Sequence, residues 1–139
     1  MLVSEVMTRD VKIASPNDSL QRAAQRMEAD DFGSLPVGED DRLVGMLSDR
    51  DIAIRAVAQG RSPTECCVRD VMSAEVKYVF DDQTIEEAAK MMGTLGVRRL
   101  PVLNHDKRLV GIVSLGDLAV TKAKPAGDAL KSISKAPAN

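Results

Sequence analysis

Residues 6–53 read VMTRDVKIASPNDSLQRAAQRMEADDFGSLPVGEDDRLVGMLSDRDIA, and residues 71–119 read VMSAEVKYVFDDQTIEEAAKMMGTLGVRRLPVLNHDKRLVGIVSLGDLA. The second stretch repeats the first. Val6-Met7 recurs as Val71-Met72, Leu20 as Ile85, Ala23-Ala24 as Ala88-Ala89, Met27 as Met92, and Leu35-Pro36-Val37 as Leu100-Pro101-Val102, all displaced by 65 residues. One residue is then added, so that Leu43-Val44-Gly45, Ser48 and Asp51 recur as Leu109-Val110-Gly111, Ser114 and Asp117, displaced by 66. A duplicated chain directs the search for function to positions that come in pairs. It also allows two small units to bury one another's apolar surface, which matters because one repeat alone is near the lower size limit for a stable core.

Within each repeat the signals keep one order. A β-rich run, Val11–Ala14 or Val76–Val79, is followed by turn residues, Ser15-Pro16-Asn17-Asp18 or Asp81-Asp82-Gln83. Leu20, Ala23, Ala24 and Met27 then fall on one face of a helix, as do Ile85, Ala88, Ala89 and Met92. Thr84 with Glu87 reads as a capping box. Two strands joined by a polar turn come next, 34–37 with 43–47 and 99–103 with 109–113, each with a proline that hints at an edge or bulge. A last helix is expected over 49–59 and 115–124. Each repeat is therefore β-α-β-β-α, and the fold class is α+β, an α/β sandwich of two repeats related by a pseudo-twofold. The expected boundaries are 1–60 for the first repeat, 61–67 for a linker, 68–124 for the second repeat, which a short helix at Val68–Met72 opens, and 125–139 for a flexible tail.

Composition narrows the function. A net charge of −2 gives no general drive toward nucleic acid or anionic lipid. No apolar run reaches the length of a membrane span, and MLVSEVMTRD is not a signal peptide, so a cytoplasmic location is the default. The adjacent Cys66 and Cys67 do not suit a mutual disulfide and read as free thiols in a linker. His105, the one histidine, sits in a polar turn, too little for a metal site of about four ligands, so no metal is expected. The methionines read as core packing.

The chemistry lies where each hairpin runs into its last helix, through Gly45-Met46-Leu47-Ser48-Asp49-Arg50-Asp51 and Gly111-Ile112-Val113-Ser114-Leu115-Gly116-Asp117, in general form G-h-h-S-x-x-D with h apolar. A strand ending at a helix start presents backbone N–H groups to a phosphate. The serine hydroxyl adds a donor, and the carboxylate one turn later can accept hydrogen bonds from a vicinal diol such as a ribose. The same spacing also describes a helix cap with an acid at its third position, and spacing alone leaves both readings open. The halves differ in charge: Gly33-Ser34 corresponds to Arg98-Arg99, and Arg50 to Gly116, so Arg98, Arg99 and Arg50 are candidate phosphate partners or else solvated arginines.

The ordered set of V-x-x-V-M, the apolar-Pro-Val strand, R-L-V-G and G-h-h-S-x-x-D, present twice over residues 3–123, resembles a tandem pair of CBS domains, the Bateman module. The resemblance implies a cleft for adenosine-bearing ligands: AMP, ADP or ATP, with NAD or S-adenosylmethionine as further candidates. It implies ribose binding by Asp51 and Asp117 and phosphate-side contact by Ser48 and Ser114. It also implies that adenine lies against Val11 to Ile13 with Leu35, Pro36 and Val37, and against Val76 to Tyr78 with Leu100, Pro101 and Val102. Members of this size commonly dimerise. The expected protein is thus a regulatory nucleotide-binding module acting in signal transduction through a homodimer or an effector protein, with no nucleic-acid or membrane partner. The alternative is a ligand-free interaction or scaffold protein of the same fold. The motifs offer no nucleophile–base pair, metal cluster or P-loop, so no enzyme is expected.

Overall fold

The computed structural model of the chain describes residues 1–121. In chain order it contains α1 (Val3–Val6), α2 (Leu20–Asp30), β1 (Ser34–Glu39), β2 (Arg42–Ser48), α3 (Asp49–Asp51), α4 (Val68–Val71), β3 (Val79–Phe80), α5 (Ile85–Leu95), β4 (Arg99–Leu103), β5 (Leu109–Ser114) and α6 (Leu115–Thr121). The α3 turn widens directly into a π-helical stretch, Ile52–Val57, in which the Ala58 N–H reaches back five residues to Ala53 O at 2.9 Å. The end of the last expected helix, 122–124, and the expected tail, 125–139, lie outside the described residues.

The compact units of the chain are offset from its sequence repeats. One unit is Lys12–Val76; the other joins Met1–Val11 to the chain from Lys77 onward. The opening helix of each repeat packs on the hairpin of the other repeat. In the first unit α4 carries Val68 and Val71 into a core with Ala14, Leu20, Ala23, Met27, Leu35, Val37 and Leu47. In the second, Val3 of α1 enters a core with Val79, Ile85, Ala88, Ala89, Met92, Leu100, Val102, Val113 and Leu118. The short helix Val68–Met72, which opens the second repeat in sequence, packs in the Lys12–Val76 unit. Glycine makes the fit possible. A Cβ on Gly45 would stand 2.9 Å from Ser73 O and 2.7 Å from Met72 Sδ; one on Gly111 would stand 3.0 Å from Thr8 O and 2.5 Å from Met7 Sδ. Backbone bridges Met46–Ser73 and Thr8–Ile112 close these contacts.

Both hairpins are antiparallel, with a bulge after Val37 and after Val102. Asp40 and Asp41, both at positive φ (54° and 62°), form the two-residue turn between β1 and β2, the backbone twist that short hairpins favour. The first expected strand differs from the observed one. In the second unit only Val79–Phe80 pairs, parallel to β4. In the first unit only Ala14 bridges, parallel to Val37, with Ala14 N–H on Pro36 O at 2.9 Å and Gly38 N–H on Ala14 O at 3.0 Å. Proline explains both limits. The next rung toward the N-terminus needs an N–H from Pro36 or Pro101, and neither has one. The next rung forward is made by Asp81 N–H on Leu103 O at 2.9 Å; its counterpart in the first unit is Pro16, again without a donor.

The helical stripes are buried as expected with one exception. Leu20, Ala23 and Met27 of α2 and Ile85, Ala88, Ala89 and Met92 of α5 lie in the cores, whereas Ala24 is exposed. In the second unit α6 packs against both α1 and α5; in the first the π-helical stretch packs against α4 and sends Ala56 into the core that holds Leu20, Ala23 and Met27. Cys66 is buried, Cys67 half-buried, and both thiols are free. Burial pushes the Cys66 thiol up, against the opposing pull of Arg61, so little reactive thiolate is present near neutral pH.

Candidate ligand-binding site

The two S-x-x-D motifs adopt matching geometry at the hairpin-to-helix junctions. Ser48 Oγ accepts from Asp51 N–H at 3.0 Å while Asp51 Oδ2 accepts from Ser48 N–H at 2.9 Å. Ser114 Oγ accepts from Asp117 N–H at 3.2 Å and Asp117 Oδ2 from Ser114 N–H at 2.9 Å. The helix-cap reading is thus realised in both copies. It does not consume the acid: a carboxylate has two oxygens with about four lone-pair sites, and the cap uses one oxygen. Each serine and aspartate is half-buried, so the other oxygen can meet a ligand.

The surroundings of the pair differ between units. In β4–β5 pairing Arg99 stands directly opposite Ser114; in β1–β2 pairing Ser34 stands opposite Ser48. The Leu115 N–H donates to Arg98 O at 3.0 Å, and the Asp49 N–H to Gly33 O at 2.9 Å, so residues 98 and 33 flank their helix starts in the same way. Two residues that sequence reasoning passed over complete the first site. Asp49 Oδ1 accepts from Arg50 N–H at 2.8 Å. Arg55 places Nε 3.9 Å from Asp51 Oδ1 and donates from Nη1 to the carbonyls of Val71 and Met72 at 3.2 Å. Comparing Asp49 with Leu115 was the available signal for the former; Arg55 acts through the α4 packing, which no spacing announces. Arg50 and Arg98 are exposed, as are Arg99 and Gly116.

The strand residues divide by face. Leu35, Val37, Leu100 and Val102 point into the hydrophobic cores at 0–2% exposure, so a ligand could meet only their backbone. Pro36 and Pro101 occupy the opposite strand face and are buried too. Ile13 stands beside Gly38, with Cδ1 3.1 Å from where a Cβ would lie. Its counterpart Tyr78 is half-buried, edge-on to Phe80 at 5.5 Å, and accepts from Lys107 Nζ at 2.9 Å. Val11 and Val76 are half-buried and fall where the chain passes from one compact unit to the other. His105 is exposed, as read from the turn, but it stacks on Phe80 at 4.6 Å and bonds Asp82 Oδ2 through Nε2 at 2.6 Å. With Asp81 it forms a group whose ligand atoms all lie within 4.8 Å of one another.

Among the described residues no helix is long and apolar enough to cross a membrane. The CBS domain family matches residues 3–57 and 68–123. The CBS domain-containing protein YhcV of Bacillus subtilis is 43% identical over 95% of this chain and 94% of its own. Solved structures agree in fold. Hypoxic Response Protein I, with two coordinated zinc ions, superposes with a TM-score of 0.78 at 36% identity, over 88% of this chain and 99% of that one. CBSX2 in complex with AMP gives 0.75 at 26% identity, over 88% and 96%. The CBS domain pair of protein MJ0100, in complex with 5′-methylthioadenosine and S-adenosyl-L-methionine, gives 0.72 at 26%, over 86% and 98%. With two duplicated Ser/Asp junctions and two family matches spanning most of its length, the chain belongs to the CBS domain family as a tandem pair.

Proposed function

We propose that the protein is a regulatory, non-catalytic module that binds an adenine nucleotide, AMP, ADP or ATP, through its Ser/Asp pairs. The observation that carries this reading is the repetition of one geometry, a half-buried serine and aspartate at a strand-to-helix junction with one carboxylate oxygen left outside the cap. Relatives at 26% identity in complex with AMP and with S-adenosyl-L-methionine support an adenosine ligand. Asp51 and Asp117 hold ribose hydroxyls, Ser114 lies toward the phosphate with Ser48 at the matching position beside the other ribose, and the base lies against the backbone of residues 35–37 or 100–102 with Ile13 or Tyr78 beside it. Binding is signalled through a second copy of the chain or an effector. Ile54 at 49% and Val57 at 67% exposure, on the π-helical stretch, support burial against another chain; light scattering tests this, and a monomer mass over a wide concentration range rejects it.

The decisive experiment titrates AMP, ADP, ATP, NAD and S-adenosylmethionine against the parent and against Asp51→Asn, Asp117→Asn and the double variant. Hydrogen bonds to charged groups contribute roughly 1.5–3 kcal/mol, so a used site loses about tenfold to a hundredfold in affinity. If the acids serve only as caps, the variants lose a little stability and bind as before. Unchanged affinity in the double variant, for a ligand the parent binds, defeats the ribose assignment.

A further inference from the structure

We infer that the two Ser/Asp sites are chemically unequal: the Ser114–Asp117 site takes a phosphorylated adenosine ligand, while Asp49 bars phosphate from the Ser48–Asp51 site. This rests on the adenosine reading above and adds the ligand class for each site.

At the first site the chain supplies its own anion. Asp49 Oδ1 accepts from the Arg50 N–H at 2.8 Å, and its Oδ2 lies 3.3 Å from where a Cβ on Gly33 would stand. The amides of Ser48, Asp49, Arg50 and Asp51 are all paired inside the protein, to Asp51, Gly33, Asp49 and Ser48 respectively. A phosphate arriving beside Ser48 meets two carboxylates, Asp49 and Asp51, and must displace one to reach an amide. Of the guanidinium groups near Asp51, that of Arg55 is tied to the carbonyls of Val71 and Met72, and that of Arg50 is exposed. Like charges at such spacing disfavour entry of a third.

At the second site the amides of Ser114, Leu115 and Asp117 are paired as in the first, but the fourth amide and the charges around it differ. Leu115 replaces Asp49 and has no carboxylate to offer the following amide, and among the described residues no partner is seen for the Gly116 N–H. Arg98 and Arg99 replace Gly33 and Ser34, and Arg99 faces Ser114 across the β4–β5 ladder. Guanidinium groups match phosphate oxygens in charge and geometry. Asp117 has no ion pair within 4.0 Å among the described residues, so its outer oxygen is not committed to a cation as that of Asp51 is. The second site is thus poised to hold both the diol and the phosphate of one ligand. The first tolerates an adenosine moiety without a phosphate.

Calorimetric titration with adenosine and with AMP tests this on the full chain. The parent takes up one AMP per chain, at the second site, with affinity that falls as salt rises. Arg98→Gly with Arg99→Ser, which writes the first repeat's residues into the second, weakens AMP by about tenfold or more and adenosine by much less. Asp49→Leu, which writes the second repeat's residue into the first, adds a second AMP per chain. Asp49→Asn, nearly the same shape without the charge, moves the same way if the leucine variant folds poorly. Two equal AMP sites in the parent overturn the inference, as does an unchanged ratio of AMP to adenosine affinity in the arginine variant or unchanged AMP capacity in both Asp49 variants. If the parent binds neither adenosine nor AMP, the adenosine reading itself falls and this inference with it.

Discussion

The two halves share a plan but not a level of completion. In the half built on β4 and β5 the parallel strand β3 makes two pairs, α5 is covered by α6, and Ala89 is buried. In the half built on β1 and β2 the equivalent strand is a single bridge at Ala14, and Ala24 is left exposed. Charge follows the same division at most junction positions: Arg98 and Arg99 stand where the other half has Gly33 and Ser34, and Leu115 where it has Asp49, with Arg50 against Gly116 the one exchange the other way. The lesson is that duplication preserves the backbone plan through a few glycines, caps and alternating apolar residues, while the positions around Ser48 and Ser114 diverge. One half is the better closed and the more cationic; the other is the more open and the more acidic.

The largest expected effect tests the coverage of the two helices. Ala89→Asp places an unpaired charge in the core, a several kcal/mol penalty, and should unfold its half in a denaturant titration. Ala24→Asp, at the matching exposed position, should stay within about 0.5 kcal/mol. A large loss at Ala24 as well, especially one that depends on protein concentration, would mean that another chain covers α2.

A smaller effect tests the role of proline in stopping the parallel strand. Asp81→Pro removes the donor to Leu103 O and gives the second half the residue found at position 16. Leaving that carbonyl unpaired should cost about 1–3 kcal/mol and speed amide exchange at Phe80. If stability and exchange are unchanged, the missing donor at Pro16 is not what shortens the first strand.

The smallest effect concerns acid. Thr84 N–H and the Thr84 hydroxyl hold the Glu87 carboxylate and lower its pKa. A lowered value in the fold means that this stabilisation is complete above the ordinary glutamate range, about pH 4.3, and is lost as pH falls through Glu87's own lower value. The matching position on α2 is Arg22, whose N–H is held by Ser19 Oγ at 3.1 Å and which carries no carboxylate to close the cap. Glu87→Gln should therefore flatten one part of the acid limb of the stability curve; a curve of the same shape would remove the cap as its source.

Much of this molecule was legible in its sequence. The stripes at Leu20 and Ile85, the hairpins, the Thr84–Glu87 cap and the paired Ser/Asp junctions follow from periodicity and local hydrogen bonding, which short stretches of chain determine by themselves. The rest depends on partners far along the chain. Which hairpin receives Met7 and which receives Met72 is decided by packing on Gly111 and Gly45, and the two choices look identical in a duplicated sequence. The shortened first strand was readable in principle, since Pro16, Pro36 and Pro101 are plain in the sequence, but only once the parallel register identified which N–H groups were needed. Asp49 was visible as a residue and not as a site element, because its effect lies in the Arg50 amide it occupies.

The exchange of opening helices has a consequence for how the protein can be divided. A break in residues 61–67, where the repeats part in sequence, separates Met72 from Gly45 and leaves Met7 on a fragment without Gly111. A fragment spanning Lys12–Val76, by contrast, carries one hairpin, its helices and its own opener in a single uninterrupted stretch. A single repeat taken alone would hold a hairpin without its opener, and could complete that core only with the first helix of a second copy, an exchange that the tandem chain makes within one molecule.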